Sequence, residues 1–498
     1  MHVVEHLQLR LGGHAVEGGG PLMPLRLPAS GEVAYEVRAA SEEDVEAAAK
    51  LAEEALADGR WAGLAGRQRA DTLLRIADLL SQELASYAEL DARTAGRPIR
   101  EMRAQIARLP EWYTYFASIA RTIEGRVPPF AGPYLNYTRR VPLGTVALLT
   151  PWNHPLLILT KKLAPALAAG CSVLVKPSEQ APESALLFAD LCRRAGLPDG
   201  VLSVLPGGAE TGAAVVSHPA VRLCDLTGGT ETGKKVAALA GSHLAGTSLE
   251  LGGKTPVLIF DDAPLEEAVA GAMFAAFIAS GQTCVAGTRL LVQASLYDAF
   301  CKRFAERVRS LRVGLPEDPE TDVAAVISEA HLQRLLAIVA RGEESARLVT
   351  GGRRILQAPL DRGYFLEPTV FVDVPPNSEL FQEELFGPIV SITPFEDEQQ
   401  AVQLANDSRF ALGSGVWTND VKRAHRVAER LEAGIVWIND HHKNDPSSPW
   451  GGTKDSGLGS ENGWEAYLKF TRQKSTVVGY DPTPSDWYAK DATPKRYS

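Results

Sequence analysis

Apolar residues change their spacing twice along the chain, and each change marks a change of architecture. Over residues 41–120 they recur at helical intervals, as in SEEDVEAAAKLAEEAL and RQRADTLLRIADLLSQELASYAELDAR, which predicts a helical segment. Ser41 with Asp44 predicts a capping box at its start. The stretch 125–144, GRVPPFAGPYLNYTRRVPLG, is rich in Pro, Gly and aromatics and predicts an extended arm, because its prolines cannot donate to a sheet ladder. From residue 145 short apolar runs alternate with helical ones: TVALLT, CSVLVKP, VLSVLP, VRLCDLT and TSLELGG are each joined by helical or glycine-rich segments. A second alternating stretch runs through PVLIF, a helix near 264–280, RLLVQ, a helix near 296–311, FLEPTVFV, IVSITPF, GSGVW and GIVWIND. Alternation of this kind predicts parallel sheets covered by helices. The polar tail after 480 is expected on the surface.

Length and charge narrow the classes. A chain of 498 residues is long enough for two large domains and a substantial core without disulfides. Its formal net charge is −10 and it has no Lys/Arg run, which argues against nucleic acid or an anionic membrane as partner. The five cysteines, 171, 192, 224, 284 and 301, form no C-x-x-C pair. That suits reduced thiols in the cytoplasm better than a disulfide framework or a zinc site. No signal peptide and no membrane-spanning run is evident.

One cysteine stands apart. Cys284 lies in ASGQTCVAGTR, a pliable run of small and polar residues, whereas the other four are expected on helices or strands as core residues. A reactive thiol needs such access. Other candidates follow strand ends. KPSE, 176–179, offers Lys176 and Glu179 to a ribose or phosphate; the turns GGAETG and GGTETG, 207–212 and 228–233, allow close backbone approach. Glu250 in LELGGK ends an apolar strand and could serve as a base or as a structural acceptor. Asn153 in TPWNHP sits where a strand becomes a helix, and its amide could donate to an oxyanion. Taken singly, each is as readily an ordinary turn or surface charge.

Together, TPWNHP, KPSE, TGGTETG, LELGGK, GQTC, EELFGP (383–388) and PWGGTKDSGLGSENG (449–463) resemble the NAD(P)-dependent aldehyde dehydrogenase superfamily in order and separation, over nearly the whole chain. The resemblance implies an α/β fold. A Rossmann-type parallel-sheet cofactor domain would span 1–124 and 141–250, an α/β catalytic domain 251–465, and a small β oligomerisation arm 125–140 and 466–485, with a tail at 486–498. It implies a homodimer or homotetramer that binds NAD and a small aldehyde. Cys284 would be the nucleophile, Glu250 the base that activates water, Asn153 with the Cys284 N–H the oxyanion hole, and Lys162 a lysine behind the asparagine. Thr150, Trp152, Lys176, Ser178, Glu179, Gly208, Gly229, Thr232, Leu251, Gly252, Glu384 and Phe386 would contact the cofactor. His154, Ile158, Lys161, Ile278, Thr283, Val285, His442, Asn444 and Trp450 would line the aldehyde tunnel. A cationic Lys161 there would favour an aromatic or flat aldehyde with a polar, even carboxylate, substituent; the alternative is that Lys161 snorkels to solvent and does not read the substrate. The alternatives are an aliphatic semialdehyde or amino-aldehyde, and a non-catalytic structural member of the family. The sequence departs from the family pattern at His154, where Phe is common, at Gly229, where Ser is frequent, and at Trp464, where a Glu behind the base is expected.

Overall fold

The computed structural model describes residues 4–480 together with 488 and 490. The expectations for the tail, 486–498, therefore lie almost wholly outside the described residues.

The first helical region resolves into five helices, Glu42–Ala57, Gly66–Gln82, Leu84–Ala95, Ile99–Ile106 and Pro110–Thr122. The capping box is present: Ser41 Oγ accepts the Asp44 N–H at 3.2 Å and Asp44 Oδ2 accepts the Ser41 N–H at 2.8 Å. These helices bury one face each, through residues such as Ile76, Met102, Trp112 and Phe116.

An eight-stranded sheet has at its centre five parallel strands in the spatial order Gly246–Glu250, Val221–Thr227, Thr145–Thr150, Ser172–Pro177, Leu202–Val204. The chain starts at Thr145–Thr150, builds outward on one side, then returns to build on the other. The strand order thus reverses beside Thr145–Thr150, and in open α/β sheets a crevice forms beyond the carboxyl ends of strands at such a point. Two edges were not foreseen. Leu9–Leu11 and His14–Val16 extend the sheet on one side, and Gly457–Leu458 pairs antiparallel with Leu249 and Glu250 on the other. The late segment containing Gly457 therefore belongs physically to the first sheet.

A seven-stranded sheet, parallel except for the edge strand Arg347–Thr350, has Arg289–Gln293 and Pro256–Ile259 at its centre. The run FLEPTVFV contributes only Thr369–Val372, and the helix expected near 264–280 stops at Phe277. Tyr134–Pro142 and Thr471–Gly479 pair antiparallel over nine residues, making the extended arm. Of the four remaining cysteines, Cys192 and Cys224 are buried on a helix and a strand, Cys171 is buried in the turn before Ser172, and Cys301 is half-buried.

Candidate active site

The helix Leu265–Phe277 ends because the next residues leave helical geometry. Ala279, Ser280 and Gly281 all have positive φ, at 58°, 53° and 72°. Such a run costs energy for residues with a Cβ, and clusters of this kind mark functional turns. Gly281 is required: a Cβ there would meet the Gly387 carbonyl at 2.2 Å. Gln282 fixes the turn from inside by accepting the Ile327 N–H at 3.0 Å. Cys284 follows, half-buried, and its backbone N–H has no protein acceptor among the described residues. Gly253 lets the strand-end loop pass against it, since a Cβ would stand 2.2 Å from the Cys284 carbonyl.

Asn153 meets this turn from the other sheet. Its Nδ2 donates to the Gln282 carbonyl at 2.8 Å, which fixes the amide's orientation. A side-chain amide carries two N–H bonds, so one remains for another acceptor. Cys284, Asn153, His154, Ile158, Trp152 and Phe386 line one cavity of about 200 Å³. Pro151, Trp152, Thr227, Gly228 and Gly229 line both this cavity and a groove of about 510 Å³ beyond the strand ends. Thr150, Lys176, Ser178, Glu179, Gly208 and Thr232 line that groove; Leu251, Gly252, Glu384 and Phe386 line the smaller cavity. All twelve residues expected around the cofactor are thus brought to one continuous channel that ends at a cysteine.

The aldehyde dehydrogenase family model matches residues 16–476. The chain belongs to the aldehyde dehydrogenase family. It is 37% identical to a structure described as a putative aldehyde dehydrogenase from Burkholderia cenocepacia, with TM-score 0.93, covering 96% of this chain and 99% of that one. Betaine aldehyde dehydrogenase from Staphylococcus aureus, solved with NAD+, is 35% identical with TM-score 0.95, covering 97% and 96%. An NAD-dependent aldehyde dehydrogenase from Sinorhizobium meliloti is 33% identical with TM-score 0.93, covering 97% of each chain.

This aldehyde dehydrogenase surrounds its cysteine with buried charge. Burial, then the Glu384 and Glu250 carboxylates, pushes the Cys284 thiol up to about 12, so it rests protonated. Glu384 Oε1 accepts the Gly253 N–H at 2.8 Å, and burial raises this carboxyl to about 7. Glu250 is buried and is not on the cavity wall. Its Oε1 lies where a Cβ on Gly451 would approach to 3.2 Å, and neither oxygen has a hydrogen-bond partner among the described residues. Burial first, and then the Glu461 charge, raises its pKa well above the carboxylate range. A carboxylate so placed is a stronger base than one in water.

The expectation at Trp464 is corrected. Trp464 is 39% exposed, with its ring 6.3 Å from Tyr467. The carboxylate behind Glu250 comes instead from Glu461, three residues earlier. Glu461 Oε1 lies 2.6 Å from Lys162 Nζ and Oε2 lies 2.5 Å from Lys161 Nζ. Lys162 also reaches Asp225 Oδ1 at 2.5 Å, and Lys469 reaches Asp225 Oδ2 at 2.7 Å. The lysines hold Glu461 well below the usual carboxylate range despite burial that opposes this.

Lys161 is corrected with it. The helix Pro155–Ala169 presents His154, just before it, and Ile158 to the cavity, but Lys161 turns to Glu461 and lies 4.4 Å over the Trp450 ring. It neither reaches solvent nor stands as an unpaired cation on the aldehyde path. The other expected aldehyde contacts lie off the cavity wall. Thr283 is buried, Val285 and Trp450 pack in one apolar cluster with Leu412 and Trp437, and Ile278 is half-buried. Asn444 secures its loop, its carbonyl accepting from Arg108 at 2.7 Å and its Oδ1 from Asn462 at 2.8 Å. His442, with φ of 58°, lies with its ring centroid 6.1 Å from those of both His154 and Trp450. Arg97 and Gln105, which hold His154, were not foreseen; nothing in the local sequence of their helical region connects them to a site some fifty residues on.

Proposed function

We propose that the protein oxidises a neutral, polar-substituted aldehyde to its carboxylic acid with NAD, using Cys284 as nucleophile and releasing the acyl group to water. The observation that carries this is the continuity of the Cys284–Asn153 cavity with the strand-end groove. The groove suits a dinucleotide. A Cβ on Gly208 or Gly229 would meet no atom within 4 Å, so both glycines leave open space above the backbone. Gly229 caps the helix Thr230–Gly241, whose N-terminus favours phosphate. Lys176 Nζ, bonded to the Gly207 carbonyl at 2.8 Å, and Glu179 at the groove's rim are available to ribose hydroxyls. When bound, NAD supplies a hydride acceptor.

The chain's own residues do the rest. Cys284 Sγ adds to the aldehyde carbon as the carbonyl π pair moves to oxygen, and its proton, present because the resting thiol is uncharged, passes to solvent water. The spare Asn153 N–H and the Cys284 backbone N–H hold the oxyanion of the thiohemiacetal. Oxidation leaves a thioester on Cys284. Glu250, once deprotonated, takes a proton from water, which attacks the thioester and frees the acid as the Cys284 sulfur leaves. The presence of a carboxylate base here favours water over coenzyme A as acyl acceptor. Lys161, neutralised by Glu461, removes the reason to expect a carboxylate on the substrate. An aliphatic semialdehyde is disfavoured by the same neutralisation. The arm formed by Tyr134–Pro142 and Thr471–Gly479 exposes Leu135, Val477 and Val478, which supports an oligomer built through it. Release of NADH with a panel of aldehydes tests the activity: turnover by the wild type and its loss in Cys284→Ala are expected. Turnover undiminished in Cys284→Ala would refute it.

A further inference from the structure

His154 precedes the helix Pro155–Ala169 and is 4% exposed. Its Nδ1 faces two donors, Arg97 Nη1 at 3.0 Å and Gln105 Nε2 at 2.8 Å. A guanidinium can only donate, so Nδ1 must accept, and the neutral ring then carries its proton on Nε2. Arg97 has no freedom to leave. It is 1% exposed, donates to Glu101 Oε2 from Nε at 3.1 Å and from Nη2 at 2.7 Å, and donates to the Asn153 carbonyl at 2.8 Å. Burial, and then the positive charge of Arg97, keeps the ring from taking a second proton.

The fixed Nε2–H is buried, just beneath the wall, and has no acceptor among the described residues, while His154 is one of the residues lining the cavity that holds Cys284. A buried donor without a partner is an unfavourable feature that an incoming acceptor relieves. The neighbouring His442 is itself held uncharged, pushed down to about 3 chiefly by burial. Lys161 is paired with Glu461, and Arg97 with Glu101. The pocket therefore offers a neutral donor and no free cation.

We infer that His154 is a specificity residue, whose Nε2–H binds a neutral acceptor oxygen (an ether, hydroxyl or carbonyl) that the aldehyde carries away from its reacting carbon. This rests on the proposed aldehyde oxidation and names its substrate class.

The test compares kcat/KM for the three methoxybenzaldehydes with the matching ethylbenzaldehydes, in the wild type and in His154→Phe. One methoxy isomer is expected to exceed its ethyl partner by about 5- to 100-fold in the wild type, with the ratio falling to about one in His154→Phe. Ratios of about one for every isomer in the wild type overturn the inference while leaving the oxidation itself intact, and this arm needs no variant to fold. A ratio that survives in His154→Phe also overturns it, provided Cys284 still alkylates and NAD still binds. Absence of NADH release with every aldehyde would instead defeat the underlying activity.

Discussion

Breaking the buried Glu461 cluster should cost different amounts depending on which partner is removed. Glu461 holds two ammonium groups at 2.5 and 2.6 Å, and the group of Lys161, Lys162, Lys469, Glu461 and Asp225 carries three positive and two negative charges. Removing one member of a buried pair costs about 3–5 kcal/mol, because the other is left uncompensated. Lys161→Met leaves Glu461 still held by Lys162, so its cost should fall near the lower end, about 3 kcal/mol. Glu461→Gln leaves Lys161 with no carboxylate partner and should fall near the upper end, about 5 kcal/mol. An unfolding entropy of roughly 2 cal/mol/K per residue over the 498-residue chain gives about 1 kcal/mol per degree. Thermal melting should therefore drop by about 3 °C and about 5 °C respectively. The double variant should melt above Glu461→Gln alone, since it removes the stranded charge. Lys161 also lowers the Glu250 pKa, so in Lys161→Met the steady rate should need a higher pH to reach half its maximum. Melting shifts in the reverse order, or a double variant no better than Glu461→Gln, would refute the cluster reasoning.

Alkylation of Cys284 by iodoacetamide in the cofactor-free protein should keep accelerating with no plateau by about pH 10, because its folded pKa is raised and thiolate forms only as pH climbs; a plateau near neutrality in wild type, absent from Cys284→Ser, would contradict this. Glu250→Gln should keep a rapid first release of NADH but lose steady turnover, since the base is needed only for the second half of the reaction; loss of both phases would assign Glu250 another role. Glu179 lines the groove with its Oε2 3.7 Å from Lys176 Nζ. NAD should be preferred over NADP, and Glu179→Gln should narrow the ratio of kcat/KM by about tenfold. Unequal cofactor use that is unchanged by the substitution would remove Glu179 from that role.

Periodicity alone determined the alternation of strands and helices, because a strand buried on both faces and an amphipathic helix write their environments into adjacent residues. Motif order then pointed to Cys284, Asn153 and the strand-end residues that line the channel, since each sits at a strand end or turn whose residues are neighbours in sequence. Helix ends were less legible: the left-handed run Ala279–Gly281 looks like helix continuation in sequence and is fixed by Gly387 and Ile327 from distant segments. Charge partners were not legible at all. Whether Lys161 faced an aldehyde or a carboxylate depended on Glu461, three hundred residues away, arriving on the segment whose Gly457–Leu458 strand joins the first sheet. The tautomer of His154 likewise depended on Arg97 and Gln105, which a separate helix carries to its Nδ1. Sequence fixes a side chain's chemistry and its local direction. Which charge or donor meets it in the interior, and hence its pKa and its use, follows only from packing that brings remote segments into hydrogen-bond range.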